Sequence, residues 1–218
     1  MSVKNIVMAA AGAATGKTYI EDVFSTYIYD GNNSTQTVNN GIDLAGKGGM
    51  VWLKGRNGTN SSYYNHAITD TTMSKIGNVS HQYLLPNSTN GITSYWGDLK
   101  NFNSNGFTIG WDGSNSNTTS QYNPGGGGYV SWTFRKAPKF FDVVRYTGNG
   151  SSNRAIAHSL GCQPGMVVVK NLSASSHWQV RHYGTETGSY LPTGYWSSRF
   201  NQTLAFSNTG LVRTSLTG

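Results

Sequence analysis

Charge is scarce in this chain. Only 11% of its 218 residues are Asp, Glu, Lys or Arg, less than half of the roughly 25% found in ordinary soluble domains. Uncharged polar groups, mainly Asn, Ser and Thr, must therefore wet the surface. Cysteine is nearly absent, and the single Cys162 excludes an intrachain disulfide framework. No apolar run approaches the roughly eighteen residues that suggest a spanning helix, so no membrane partner is expected. Acids are the scarcest class, nine against sixteen bases, which gives a formal charge of +7. The bases are scattered: Lys47, Lys54, Arg56, Lys75, Lys100, Arg145, Arg154, Lys170, Arg181, Arg199 and Arg213 stand alone or nearly so, and only Arg135, Lys136 and Lys139 cluster. A nucleic-acid groove normally shows a stripe or patch. No nucleic-acid partner is expected, and the charge reflects missing acids rather than gathered bases.

The same shortage bears on catalysis. Glycosidase chemistry needs two carboxylates facing across a cleft. The chain offers Glu21, Asp22, Asp30, Asp43, Asp70, Asp98, Asp112, Asp142 and Glu186, none in a recognisable pair. His158-Ser159 lacks the glycine pattern of a nucleophile elbow. Gly12 to Thr18 resembles a phosphate loop but has three residues between its glycines where four are needed, and no helical pattern follows. Asp112 to Asn117 alternates oxygen-bearing side chains, yet no carboxylate follows at position 123, which is Asn; a turn is the simpler reading than a calcium loop. The histidines show no zinc spacing. A non-enzymatic protein with no metal and no cofactor is expected, and Cys162 reads as a small buried apolar residue near a turn.

Helical periodicity is also missing. Apolar residues come instead in short alternating or continuous runs bounded by Gly, Asn, Ser and Pro. These runs are Val23 to Tyr29, Gly49 to Lys54, Phe107 to Trp111, Tyr129 to Phe134, Phe141 to Tyr146, Met166 to Asn171 and Trp178 to His182. Aromatics make up 12% of the chain, enough burial capacity to argue against disorder. The pattern predicts an all-β chain, an antiparallel sandwich of jelly-roll type.

An internal repeat refines this. Phe24, Tyr29, Gly31 and Asn32 recur as Phe141, Tyr146, Gly148 and Asn149; Gly49-Met50-Val51 with Lys54 recurs as Gly165-Met166-Val167 with Lys170; Phe102 and Gly106 recur as Phe206 and Gly210. Three echoes in order predict a duplicated sandwich. The first unit is placed at 21–139, with Tyr129 to Phe134 as its closing strand, and the second at 140–218. The second lacks the counterpart of that strand, so an unpaired edge is expected to be completed by another segment, a neighbouring subunit or further chain. Residues 1–20 differ, being rich in Ala and Gly. One lysine before a short apolar stretch has the order of a secretory signal, but alanine dominates the stretch. An arm docking on a partner through Ile6, Val7 and Met8 is the preferred expectation.

Aromatics set among polar residues are the feature with binding capacity. Tyr63-Tyr64, Tyr95-Trp96, Trp111, Tyr122, Tyr190 and Tyr195-Trp196 lie beside Asn, Ser, Asp or Gly. In such settings a ring can stack on a sugar while amides and hydroxyls bond its oxygens. The candidate glycan contacts are Tyr95, Trp96, Trp111, Asp112, Tyr195 and Trp196. Packing in a core or an interface is the competing role for the same rings.

Several stretches are familiar. Asp22 to Thr37 (DVFSTYIYDGNNSTQT), Asn40 to Leu44 (NGIDL), Gly48 to Lys54 (GGMVWLK), Phe102 to Gly110 (FNSNGFTIG), Tyr129 to Val144 (YVSWTFRKAPKFFDVV), Tyr146 to Asn149 (YTGN) and His158 to Lys170 (HSLGCQPGMVVVK) together resemble a domain of tail-fibre and other virion structural proteins of bacteriophages, cyanophages especially. The resemblance implies a concanavalin-like, lectin-like sandwich repeated in a phage particle. It brings no catalytic residues. Its implied partners are other virion proteins, further copies of the chain in a homo-oligomer such as a trimer, and host cell-surface polysaccharide. Its implied location is the virion, in the phage tail, after assembly in the bacterial cytoplasm. A soluble carbohydrate-binding module, a capsid decoration protein and a polysaccharide-degrading tailspike enzyme are the alternatives.

Overall fold

The computed structural model describes residues 17–57, 65–76, 80–93, 99–110 and 122–182. Across these the chain is almost entirely antiparallel strand. Single-turn helices α1 (Ile20–Val23) and α2 (Leu44–Lys47) are interspersed among β1 (Phe24–Asp30), β2 (Gln36–Asn39), β3 (Gly49–Asn57), β4 (His66–Asp70), β5 (Lys75–Ile76), β6 (Ser80–His81), β7 (Leu99–Asn103), β8 (Gly106–Ile109), β9 (Gly128–Arg135), β10 (Met166–Val169) and β11 (Gln179–His182).

Two sheets form the sandwich. One has the order β1-β9-β3-β4 and the other β2-β8-β7. The long strands are those whose residues suit a pleated, half-buried surface. In β3, Val51 and Leu53 point inward, while Met50, Trp52 and Lys54 occupy the opposite face and are only partly covered. Between the sheets lies a core of Tyr29, Val38, Ile42, Leu44, Val51, Leu53, Leu99, Phe107, Ile109 and Tyr129, to which both sheets contribute. Phe107, Ile42 and Val51 are fully buried. Leu44, the first residue of α2, and Ile42, two residues before it, both enter this core. Asp43 caps it by accepting from the Gly46 amide at 2.8 Å, and Gly48 ends it with φ of 75°, a value that a side chain would resist.

The expected closing strand β9 is last in the first unit but lies inside its sheet. It pairs with β1 from Phe24↔Phe134 to Asp30↔Gly128 and with β3 on its other side. First and last strands of the unit are thus neighbours. Six of the seven runs read from the sequence contain a strand. The run Phe141 to Tyr146 does not: Phe141 makes a single bridge to Ala137, and Val144 and Tyr146 are exposed.

Residues 140–182 contribute a hairpin of β10 and β11 that packs on the outer face of the four-stranded sheet. Trp178, Ile68, Met73 and Leu84 form a second core, flanked by Met50, Trp52, Ile92, Val168 and Leu172. Backbone bonds join the layers: the Ile92 amide donates to the Leu172 carbonyl and the Ser176 amide to the Thr89 carbonyl, both at 2.8 Å. Lys170 donates to the carbonyls of Thr89, Asn171 and Ser176 at 3.0–3.1 Å. In the repeat, Gly49-Met50-Val51 and Gly165-Met166-Val167 both open onto strands, whereas Phe206 and Gly210 lie outside the described residues. Cys162 is part-exposed rather than buried.

The chain leaves β9 under electrostatic control. Lys136 and Asp142, 2.8 Å apart, form the one ion pair among the described residues, and the Asp142 side chain is 5% exposed. Ser159 donates to the same carboxylate from its amide at 2.7 Å and its hydroxyl at 2.8 Å. Burial alone would raise the Asp142 carboxyl, but the bonds from Lys136 and Ser159 outweigh it and hold the group below the usual carboxylate range. A depressed folded pKa contributes stability that is complete above the unfolded value of about 4 and is lost as pH falls through the folded value. Asp142→Asn is therefore expected to destabilise the protein at neutral pH and to flatten the acid limb of its stability profile, measured by denaturant melts from neutral pH to below about pH 3. An unchanged acid limb would refute the role of this carboxylate.

Candidate functional site: the loop end of the sandwich

The strand registers place the connections. Asp30 at the end of β1 and Asn57 at the end of β3 both face Gly128 at the start of β9. Lys54 in β3 faces His66 at the start of β4. Gln36 at the start of β2 and Leu99 at the start of β7 both face Ile109 at the end of β8. Hence the connection 31–35, the end of β3 at Asn57, the starts of β4 at His66 and β7 at Leu99, the exit of β8 at Gly110 and the approach to β9 through 122–127 all stand at one end of the sandwich. Loops held by a rigid scaffold are where binding residues concentrate.

Of the predicted contacts, Tyr95, Trp96, Trp111, Asp112, Tyr195 and Trp196 lie outside the described residues, as do Ile6, Val7 and Met8 of the arm. The described chain resumes at Leu99 after Tyr95 and Trp96 and leaves off at Gly110 before Trp111 and Asp112. Both flanking residues stand at the loop end, Leu99 opposite Ile109 and Gly110 against Ser34 and Thr35. The described chain stops at His182, before Tyr195 and Trp196. Tyr122, one of the aromatics set among polar residues, is a core residue at 3% exposure.

The loop end is built on a buried amide. Asn123 is fully buried. Its Oδ1 accepts from the Asn32 amide at 3.2 Å and from Gln36 Nε2 at 2.6 Å. Its Nδ2 donates to Asn32 Oδ1 at 3.0 Å and to the Ser34 carbonyl. Because that carbonyl is an acceptor only, the orientation of the amide is fixed. Its main chain joins in, the Asn33 amide donating to the Asn123 carbonyl at 3.0 Å, and beside it the Gly31 amide donates to the Gly127 carbonyl at 2.8 Å. Asn33, at φ of 57°, accepts from the Gly125 amide at 2.7 Å. Gly31 lies so close to the Pro124 carbonyl that a Cβ would collide with it. The β1–β2 connection and the approach to β9 are thereby locked together. Beneath them Tyr29 and Tyr129 stack at 5.4 Å, and the Tyr29 hydroxyl donates to the Tyr122 carbonyl at 2.9 Å.

A second group lies at the same end on the outer face. Trp52 Nε1 donates to His66 Nδ1 at 2.9 Å, and Trp52 meets Trp132 edge-on at 5.8 Å. Burial, and then the nearby Lys54 charge, push the His66 imidazole down, which keeps it a neutral acceptor at physiological pH. Asn87 accepts from the His66 amide at 3.3 Å and donates to Asn65 Oδ1 at 2.8 Å. Sequence reasoning missed Asn123, Trp52, His66 and Asn87. The only signal was Trp52 in the alternation of β3; the others depend on residues 14 to 91 positions away.

Chemically, the end offers amides, a neutral imidazole and aromatic edges, all groups that recognise neutral polar ligands. Among the described residues no three His, Cys, Asp or Glu side chains gather as metal ligands. Fold and site together define a β-sandwich protein that carries its loops on one hydrogen-bonded end. The chain belongs to the family described as a domain of unknown function, DUF7483, whose model matches residues 20–211. No curated protein and no solved structure matches it.

Proposed function

We propose that this protein is a non-enzymatic structural component of a tailed-phage virion, a tail fibre or tail-associated part, which meets host-surface polysaccharide at the loop end of the sandwich. The observation that supports the contact surface is topological: Leu99 and Gly110, the described residues nearest in sequence after Trp96 and before Trp111, stand at the same end as the Asn123 knot. The ordered motifs from Asp22 to Lys170 support the virion setting. Other virion proteins and further copies of the chain are its partners in this reading. Single sugar sites are weak, and attachment draws its strength from several copies acting together.

The test is binding of the full chain to a glycan array and to polysaccharide from candidate hosts. Trp96→Ala and Trp111→Ala are each expected to weaken binding about tenfold, the equivalent of roughly 1.4 kcal/mol, with unchanged thermal stability. Absence of glycan binding, or binding indifferent to both substitutions, overturns the contact surface. Release of reducing ends, abolished by Asp98→Asn or Asp112→Asn, would replace the reading with the tailspike enzyme.

A further inference from the structure

We propose that two copies of this chain join through β1, antiparallel and centred on Tyr27, so that the two four-stranded sheets become one continuous sheet. β1 is the edge strand of its sheet, and among the described residues it pairs with β9 alone. Of the seven exposed large hydrophobic residues among the described residues, Tyr27 at 37% and Ile28 at 58% lie in β1, and Tyr19 at 57% and Ile20 at 59% lie just before it, at the start of α1. Natural edges are protected by Lys, Pro or bulges. Phe24–Asp30 contains no Lys or Pro, and its register against β9 runs without a shift.

The hydrogen-bond pattern selects the partner. The Gly31 amide donates to Gly127 and the Ser131 hydroxyl to the Tyr27 carbonyl, so Ser25, Tyr27 and Tyr29 turn their backbone groups toward β9. By the alternation of antiparallel strands, Phe24, Thr26, Ile28 and Asp30 turn theirs outward. Two of these outward groups are already used. The Phe24 amide donates to the Ile20 carbonyl, and the Asp30 carbonyl accepts from Gln36 Nε2 at 3.1 Å. An incoming strand must leave those two groups unaddressed. A second β1 placed with Tyr27 opposite Tyr27 of the partner subunit does so, because it sets Phe24 opposite Asp30 of the partner subunit. The used donor then faces the used acceptor.

Every remaining outward group finds a mate. Thr26 exchanges both bonds with Ile28 of the partner subunit, the Asp30 amide donates to the Phe24 carbonyl of the partner subunit, and the two-fold axis repeats the set. Shifting the pairing by two residues either way places a used group against an available one. Side chains agree with this register: Thr26 meets a β-branched Ile, Tyr27 meets an aromatic ring, and no like charges stand directly opposite. Such an interface is isologous and closes as a dimer.

The experiment uses the full chain in sedimentation and light scattering. Wild type is expected at twice its 23.6 kDa mass. Thr26→Pro removes an outward donor that β9 does not use, so the fold is kept, and the dimer dissociation constant is expected to rise about 100-fold or more. Ile28→Lys, on an exposed site, is expected to act the same way. In a Cys162→Ser background, Tyr27→Cys is expected to form a disulfide-linked dimer on mild oxidation, since facing residues of this pair type lie about 4.5 Å apart at Cα; Ser25→Cys is not. A monomer at all concentrations, a trimer, or a dimer that survives both edge substitutions with Tyr27→Cys uncrosslinked overturns the proposal.

Discussion

Asn123→Asp, a change of one amide to a carboxyl, is expected to cost about 3–5 kcal/mol. The wild-type Nδ2 donates to Asn32 Oδ1 and to the Ser34 carbonyl. In the variant a carboxylate oxygen faces both acceptors in a site that is fully buried. Asn32 cannot rescue it by turning its amide, because its Oδ1 also accepts from the Ser34 amide at 2.9 Å. For a chain of this size each kcal/mol moves the melting temperature by about 2–4 °C, so a fall of about 10 °C is expected by calorimetry. The charge is the main cause, and protonation relieves it. Burial raises the folded pKa of the new carboxyl above its unfolded value, so the penalty is greatest above the folded pKa. The gap to wild type is therefore expected to narrow as pH falls from 7 toward about 4. Asn33→Asp is the control. Its side chain is exposed and its Oδ1 only accepts, from Gly125, so it is expected to stay within about 0.5 kcal/mol. Equal melting temperatures for the two variants would show that the knot does not hold the loop end.

Trp178→Ala is expected to be as costly, about 3–5 kcal/mol, but to fail differently. Trp178 is 4% exposed and its Nε1 donates to the Leu85 and Ser88 carbonyls at 3.1 and 3.2 Å. It joins the β10–β11 hairpin to Ile68, Met73 and Leu84 on the outer face of the main sheet. Removing it opens a cavity in that layer and takes the indole donor from the Ser88 carbonyl and from the Leu85 carbonyl, which keeps only the Ser88 amide, while the core between the two sheets stays in place. Melting is expected to split into an early loss of residues 140–182 and a later loss of the sandwich, with early proteolytic cuts confined to the former. Trp178→Phe restores area but not the N–H and is expected to fall between. A single cooperative transition shifted by less than about 1 kcal/mol would mean that the hairpin does not depend on this ring.

What could be read in the sequence followed from local rules. The strands β1, β3 and β9 run for seven to nine residues, long enough for the alternation of their apolar residues to show. β2 and β7 did not show, since Gln36–Asn39 has one apolar residue, Val38, and Leu99–Asn103 has two. Both become strands because β8 lies between them and supplies hydrogen-bond partners. Phe141 to Tyr146 shows the opposite failure. Its apolar pattern repeats that of β1, but Asp142 is held by Lys136 and Ser159, and among the described residues no strand pairs along it.

The sequence by itself determined the all-β class, the main strands and the setting of the aromatics, because alternation and turn chemistry act over a few residues. Only the tertiary structure decided that Asn123 is a buried knot rather than one more turn asparagine, and that Tyr122 belongs to the core. It alone placed β9 between β1 and β3 and brought the ends of β1, β3 and β8 together with the starts of β2, β4, β7 and β9 at one end. Those outcomes depend on strand register across about ninety residues of separation, and no local pattern encodes which polar group will find its partner there. The scarcity of charge fits this outcome: at the loop end, amides and main-chain groups do the work that ion pairs would otherwise do.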